Sequence, residues 1–284
     1  MKVKEPTHLL DFRPKAPPPR LAAVSYLNTL PLVWGFAAGP QRDTVQLDFA
    51  LPFECARRVA TGQAAAGLMP VIEASRLGLP LIGDTGIACR GPVRSILLVS
   101  KVEPSQIRRL ALDRASRSSV MLARIILAQR YGVTPELVTM SPELTPMLRE
   151  ADAALIIGDP ALRMDPATLP YHVLDLGLEW WEMTGLPMVF AMWAGHTSLP
   201  AAAFRQSLDY GRAHWDEFLR VEAAQREIAE PLARAYLQHH IVYNIGATER
   251  AGLAEYLRLA TALDAQDEAA ELQDQVATQE IMKP

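Results

Sequence analysis

The 284-residue chain has two cysteines and six histidines, and neither set is arranged for metal or redox chemistry. Cys55 and Cys89 match no zinc-ligand spacing and build no disulfide framework, which suits a reducing cytoplasm. His239 and His240 are adjacent, so they point to different sides of a helix end; a C-terminal cap or plain exposure fits them better than a metal centre. His172 falls in a predicted strand, where a packed or hydrogen-bonded ring is expected. No GxGxxG follows a strand and there is no Walker loop, which removes the usual phosphate cradles. GxSxG and HExxH are missing as well. Hydrolase, dehydrogenase and metalloenzyme readings start without support, and no cofactor or metal is expected.

Strong charge is also lacking. The formal net charge is −4, which gives no reason to expect nucleic acid or an anionic membrane as partner. No segment is long and apolar enough to span a bilayer. The opening MKVKEPTHLLDFRPKAPPPR has no apolar stretch and no small-residue cleavage site of the kind a signal peptide carries. Residues 1–20 therefore read as an extended, proline-bearing lead-in, and the expected location is cytoplasmic.

Half of the residues are hydrophobic, ample for a buried core. From Leu21 short apolar runs alternate with amphipathic stretches, the pattern of β-α-β units around a largely parallel sheet. LAAVSYL, TVQLDFAL, AAAGLM, LPLIGDTGIA and PVRSILLVSK read as strands. LALD, LVTM, ALIIGD, YHVLDLG and LPMVFAMWA continue the series. Pro31 and Pro52 open helices, where a missing N–H costs nothing. After Gly195 the pattern is almost wholly helical, ending in ERAGLAEYLRLATAL and an acidic tail. This order predicts an α/β fold of two lobes with a ligand cleft between them. Lobe 1 is expected to combine residues 21–100 with 191–284, and lobe 2 to span 101–190.

Four polar features sit at strand ends that would face such a cleft. Tyr26 and Asn28 follow the first buried strand, where open α/β sheets bind ligands. Asn28 and Thr29 serve equally well as caps of the next helix. In Arg90-Gly91-Pro92-Val93-Arg94-Ser95, the Ser95 hydroxyl heads a strand and can point inward; a plain turn is the alternative. Asp113-Arg114-Ala115-Ser116-Arg117-Ser118-Ser119 precedes a long helix. Ser118, Ser119, their backbone N–H groups and Arg117 there suit a carboxylate or phosphate. Gly158 and Asp159 follow the strand ALII, where Gly158 permits close approach and Asp159 can accept from a ligand hydroxyl or simply cap a helix. Trp180 and Trp181 are expected to pack a helix over the sheet, and Glu73 to be a solvated helix residue. Glu54 with Arg57 and Arg58 reads as a surface pair.

Taken in order, SYLNTLPL, LPFECARRVATGQAAAGLMPVIEASR, GPVRSILLVSK, ALDRASRSSVMLARIIL, ADAALIIGDPAL and DLGLEWWEMTGLPMVFAMWA resemble the chorismate dehydratases of the menaquinone pathway that runs through futalosine. The resemblance covers roughly Leu21 to Leu263. It implies a type II periplasmic-binding-protein-like fold and loss of water from chorismate to give 3-[(1-carboxyvinyl)oxy]benzoate. The proline-bearing start, the acidic tail and Cys89-Arg90 depart from the family's pattern. Asn28 and Ser95 are then expected to orient the enolpyruvyl carboxylate or the leaving hydroxyl. Ser118 and Ser119, with Arg117, would hold a carboxylate, while Tyr26, Gly158 and Asp159 line the pocket. Two alternatives share the fold: a small-anion binding or sensor protein, and 1,4-dihydroxy-6-naphthoate synthase, whose opening motif differs from SYLN-x-x-PL. The oligomeric state is not legible in the sequence.

Overall fold

Two sheets, each built from apolar strands and covered by helices, organise the chain. A computed structural model describes residues 17–113 and 117–281, with side chains as far as Asp267. Most of the proline-bearing lead-in, the loop residues Arg114, Ala115 and Ser116, and the side chains of the acidic tail lie outside the described residues.

The first part of the chain runs β1 (Arg20–Val24), α1 (Leu30–Ala37), β2 (Gln46–Ala50), α2 (Pro52–Ala60), β3 (Ala66–Pro70), α3 (Val71–Arg76) and β4 (Leu81–Cys89). The middle part runs β5 (Ile96–Ser100), β6 (Arg109–Leu112), α4 (Arg117–Tyr131), β7 (Glu136–Thr139) and α5 (Leu144–Glu150). It continues with β8 (Ala153–Ile157), α6 (Gly158–Arg163), β9 (His172–Asp175) and α7 (Leu176–Thr184). The last part is β10 (Met188–Gly195), α8 (Ala201–Ala213), α9 (Trp215–Gln225), α10 (Glu230–Ala235), β11 (Val242–Asn244) and α11 (Ala247–Ile281).

The six-stranded sheet has the order β11-β4-β10-β3-β1-β2, and the five-stranded sheet β7-β6-β8-β5-β9. β1 pairs in parallel with β2 and β3, whereas β10 runs antiparallel between β3 and β4. Both sheets are therefore mixed. β3, β5, β8 and β10 are buried along their whole length, as strands covered on both faces must be. β2 is an edge strand and leaves Phe49 exposed. One buried apolar cluster contains Leu68 and Trp193 of the first sheet together with Leu98 and Leu155 of the second.

Sheet membership moves both expected lobe boundaries. β5 pairs with β8 and β9, so it belongs to the second sheet, although the sequence reading placed it before a break at Ser100. β10 begins at Met188 and belongs entirely to the first sheet. The chain crosses between sheets from Cys89 to Ile96 and returns between Thr184 and Met188. An apolar strand has the same pattern in either sheet, so periodicity could not assign it.

The outgoing crossing is held by one carboxylate. Asp175 accepts from the backbone N–H groups of Val93 (2.9 Å) and Arg94 (2.6 Å), and also from Gly177 (2.9 Å) and Leu178 (3.1 Å) at the start of α7. Arg94 has a left-handed φ of 68°. Its guanidinium donates to the carbonyls of Ala161 and Met164, which anchors a conformation that non-glycine residues avoid.

Two late elements are absent from the sequence reading. Tyr236–His240 forms a single π turn, and β11 adds to the edge of the first sheet. β11 is too short for any periodicity to register. Trp180 is fully buried with its indole N–H on the Pro187 carbonyl, while Trp181 stays partly exposed. His172 lies at the surface within 3.6 Å of Glu103 rather than packed inside.

Candidate active site

A pocket of about 530 Å³, part of it open to solvent, lies where the two sheets meet. Its polar wall is made by Tyr26, Asn28, Ser95, Ser119 and the backbone of Gly158; Val24, Ile87 and Phe190 are among its apolar lining. The lining is that of a small-molecule site: mostly apolar with a few convergent polar groups. No charged side chain is among the described residues of the lining.

Each polar group arrives from a different element. Asn28 sits in the 3₁₀ turn Leu27–Thr29 between β1 and α1. Ser95 immediately precedes β5, and its carbonyl accepts from Gly158 N–H at 2.8 Å, so Ser95 travels with the second sheet rather than with Asn28. Ser119 is in the first turn of α4, where backbone N–H groups have no acceptor within the helix.

Asn28 and Ser95 meet behind the wall on Tyr236, a residue the sequence reading missed. The Asn28 amide nitrogen donates to the Tyr236 hydroxyl at 2.9 Å, and that hydroxyl lies 2.8 Å from Ser95 Oγ. Tyr236 is fully buried, and burial pushes its phenol well above the ordinary tyrosine value. The carbonyl oxygen of Asn28 is buried and has no hydrogen-bond partner among the described residues. The one sequence signal for Tyr236 was an aromatic residue just before His239-His240 in a helical run, and that pattern also describes core packing. π turns concentrate at functional sites, but the turn itself is visible only in the folded chain.

Tyr26 packs its ring against Gly158. Gly158 has φ of 65°, and a Cβ there would stand 2.9 Å from the Tyr26 ring, so both backbone conformation and space require glycine. Burial, together with the Asp113 and Asp159 charges, pushes the Tyr26 phenol up to about 12.

The remaining expected site residues face elsewhere. Asp159 accepts from Leu27 N–H at 3.1 Å and lies 3.1 Å from Arg226 Nε, tying α6 of the second sheet to the first-sheet side. Burial raises its carboxyl above the usual range despite both partners. Arg117 pairs with Glu73 at 3.3 Å, away from the pocket lining. Glu73 is only 13 % exposed, so it is a partnered residue and not the solvated one expected. The Ser118 carbonyl accepts from the Tyr256 hydroxyl at 3.0 Å, and its side chain is buried off the wall. Arg90 pairs with the buried Glu249 at 2.6 Å. Glu54 forms the expected surface pairs with Arg57 and Arg58, and the Arg57 hydrogen bond holds its carboxyl down at about 2.

The profile of the menaquinone biosynthesis family matches residues 19–262. The chain belongs to that family. A chorismate dehydratase of Thermus thermophilus is 27 % identical to it over 229 residues, covering 73 % of this chain and 83 % of the relative. Among solved structures, a protein of Archaeoglobus fulgidus superposes with a TM-score of 0.72 at 17 % identity, covering 88 % of this family member and 99 % of that chain. The periplasmic aliphatic sulphonate binding protein of Escherichia coli gives 0.61 at 13 % identity, over 89 % and 88 %. A Candida albicans protein with the generic periplasmic binding protein fold gives 0.56 at 15 %, over 87 % and 91 %. These likenesses show the fold: α/β, two-lobed and periplasmic-binding-protein-like.

Proposed function

We propose that this family member is a chorismate dehydratase, a hydro-lyase that converts chorismate to 3-[(1-carboxyvinyl)oxy]benzoate for menaquinone. The observation that carries the reading is an uncharged pocket wall bearing Asn28 and Ser95 in a chain whose curated relative is a chorismate dehydratase. A cytoplasmic location belongs to the same proposal.

The chemistry suits a wall without an ionised base. The ether and hydroxyl of chorismate are trans, so the hydrogen beside the ether and the leaving hydroxyl share a ring face. The substrate's enolpyruvyl carboxylate takes that ring proton. The C–H electron pair becomes a ring double bond, the C–O bond to the hydroxyl breaks, and the departing hydroxide collects the proton as water. Aromaticity supplies the driving force, leaving the protein to orient the substrate and stabilise the leaving oxygen. Asn28 and Ser95 act on the leaving hydroxyl. The ring carboxylate is held by Ser119 and by first-turn N–H groups of α4, Ser118 contributing through its backbone. Tyr26 and Gly158 shape the wall. Arg117 and Asp159, engaged with Glu73 and Arg226, support the lobes around it.

Incubating the purified protein with chorismate alone and following the products by mass spectrometry tests the reading. Loss of one water with gain of aromatic absorbance is expected. Unchanged chorismate, with tight binding of another small anion, would instead favour a binding or sensor protein of this fold.

A further inference from the structure

We infer that Tyr236 is a positioning residue that sets the direction of hydrogen bonding on the pocket wall, turning the Ser95 proton and the Asn28 carbonyl oxygen toward one ligand hydroxyl.

A phenol carries one proton and accepts through its oxygen. The Asn28 amide donates to that oxygen, so it occupies an acceptor site. The second contact, to Ser95 Oγ at 2.8 Å, can run in either direction by distance alone. Were Ser95 the donor, the Tyr236 proton would be buried without an acceptor among its hydrogen-bond partners, an arrangement proteins avoid. Tyr236 therefore donates to Ser95. The Ser95 hydroxyl, having accepted behind the wall, presents its own proton to the pocket it lines.

The same phenol holds the Asn28 amide by its nitrogen, which leaves the buried carbonyl oxygen as an acceptor without a partner among the described residues. One donor and one acceptor thus belong to two lining residues held on the same phenol oxygen. That pair complements a hydroxyl, which accepts one hydrogen bond and gives one. It does not complement a carboxylate, which would face the Asn28 oxygen with a second acceptor. On the proposed function, on which the substrate's identity rests, the wall takes the leaving hydroxyl and not the enolpyruvyl carboxylate. Burial, which raises the phenol pKa, favours the neutral, donating form of Tyr236. Tyr236 is not part of the pocket lining and acts only through its two neighbours.

The test has two arms on the full-length protein. In the first, Tyr236→Phe, Ser95→Ala and the double variant are assayed with chorismate. Tyr236→Phe is expected to lower kcat about 10- to 100-fold with KM within about threefold, since the oriented Ser95 proton acts as the C–O bond breaks. The double variant should be slower than Ser95→Ala alone by less than the full Tyr236→Phe factor, because only the hold on Asn28 is then left to lose. A Tyr236→Phe kcat within about twofold of wild type, or losses that multiply in the double variant, would overturn the inference. The second arm needs neither activity nor a variant. A slowly exchanging Tyr236 hydroxyl proton in the wild-type NMR spectrum, with a cross-relaxation peak to the Ser95 β protons, is expected; a Ser95 proton directed at Tyr236 overturns the assignment. Wild-type protein that leaves chorismate unchanged would defeat the proposed function while the NMR arm still decides the role of Tyr236.

Discussion

Asn28 and Tyr236 lie 208 residues apart, and the amide of one donates to the phenol of the other at 2.9 Å. Through that contact a turn after the first strand and a π turn near the end of the chain build one wall. Removing either wall group should therefore cost turnover much more than stability. Asn28→Ala and Ser95→Ala are each expected to lower kcat by about 100-fold. Their melting temperatures should fall by no more than about 4 °C. Steady-state kinetics with chorismate beside thermal denaturation separates the two effects; wild-type turnover in both variants would remove the proposed roles.

Gly158→Ala should be destabilising by about 1–2 kcal/mol from its left-handed backbone alone, with further loss from the Cβ at 2.9 Å from Tyr26. Combining it with Tyr26→Ala should restore the space but not the backbone preference. Urea unfolding of the three variants checks this, and equal stability of the single and double variants would show that ring contact contributes nothing.

Asp159 carries a pH signature of opposite sign to the ordinary paired carboxylate. Its folded-state pKa is raised by burial, so the folded state keeps the proton when the unfolded chain has released it. With more protons bound in the folded state, stability falls as pH rises from the unfolded value of about 3.9 until the buried carboxyl has ionised. Asp159→Asn removes that component. The stability of the variant relative to wild type should rise across this interval, as read from denaturant midpoints at successive pH values. A constant difference would mean that Leu27 N–H and Arg226 fully offset the burial.

Asp175→Ala should cost about 2–4 kcal/mol, because one carboxylate caps α7 and also accepts two N–H groups of the outgoing crossing. Asp175→Asn should recover part of it. Chemical denaturation measures both, and a loss below about 0.5 kcal/mol would show that water replaces these bonds.

Arg117→Ala bears on the anion-binding role expected from sequence. Since Arg117 is more than half exposed and paired with Glu73, turnover should change less than about threefold and stability by less than about 1 kcal/mol. A large rise in KM for chorismate would return Arg117 to the substrate.

Much of this was written in local pattern. The apolar runs in LAAVSYL and ALIIGD, the prolines opening α1 and α2, and the helical run after Gly195 are near-neighbour properties, and they appear in the structure where the local pattern put them. Asn28, Ser95 and Ser119 were expected to face a cleft from their places at strand and helix ends, where capping or a turn is the competing local use, and all three line the pocket. Arg117 and Asp159, expected beside them, engage Glu73 and Arg226: a charged residue at such an end looks alike whether it meets a ligand or a distant partner.

Local sequence by itself determined the order of strands and helices apart from the π turn and β11, the apolar content of the core and the family to which the chain belongs. Tertiary structure alone decided that β5 joins the second sheet, that Asp159 ties the two sides together, and that Tyr236 stands behind Asn28 and Ser95. The physical reason is range. Periodicity records which residues are buried, but a buried polar group is satisfied by whatever partner the whole fold brings within hydrogen-bond distance.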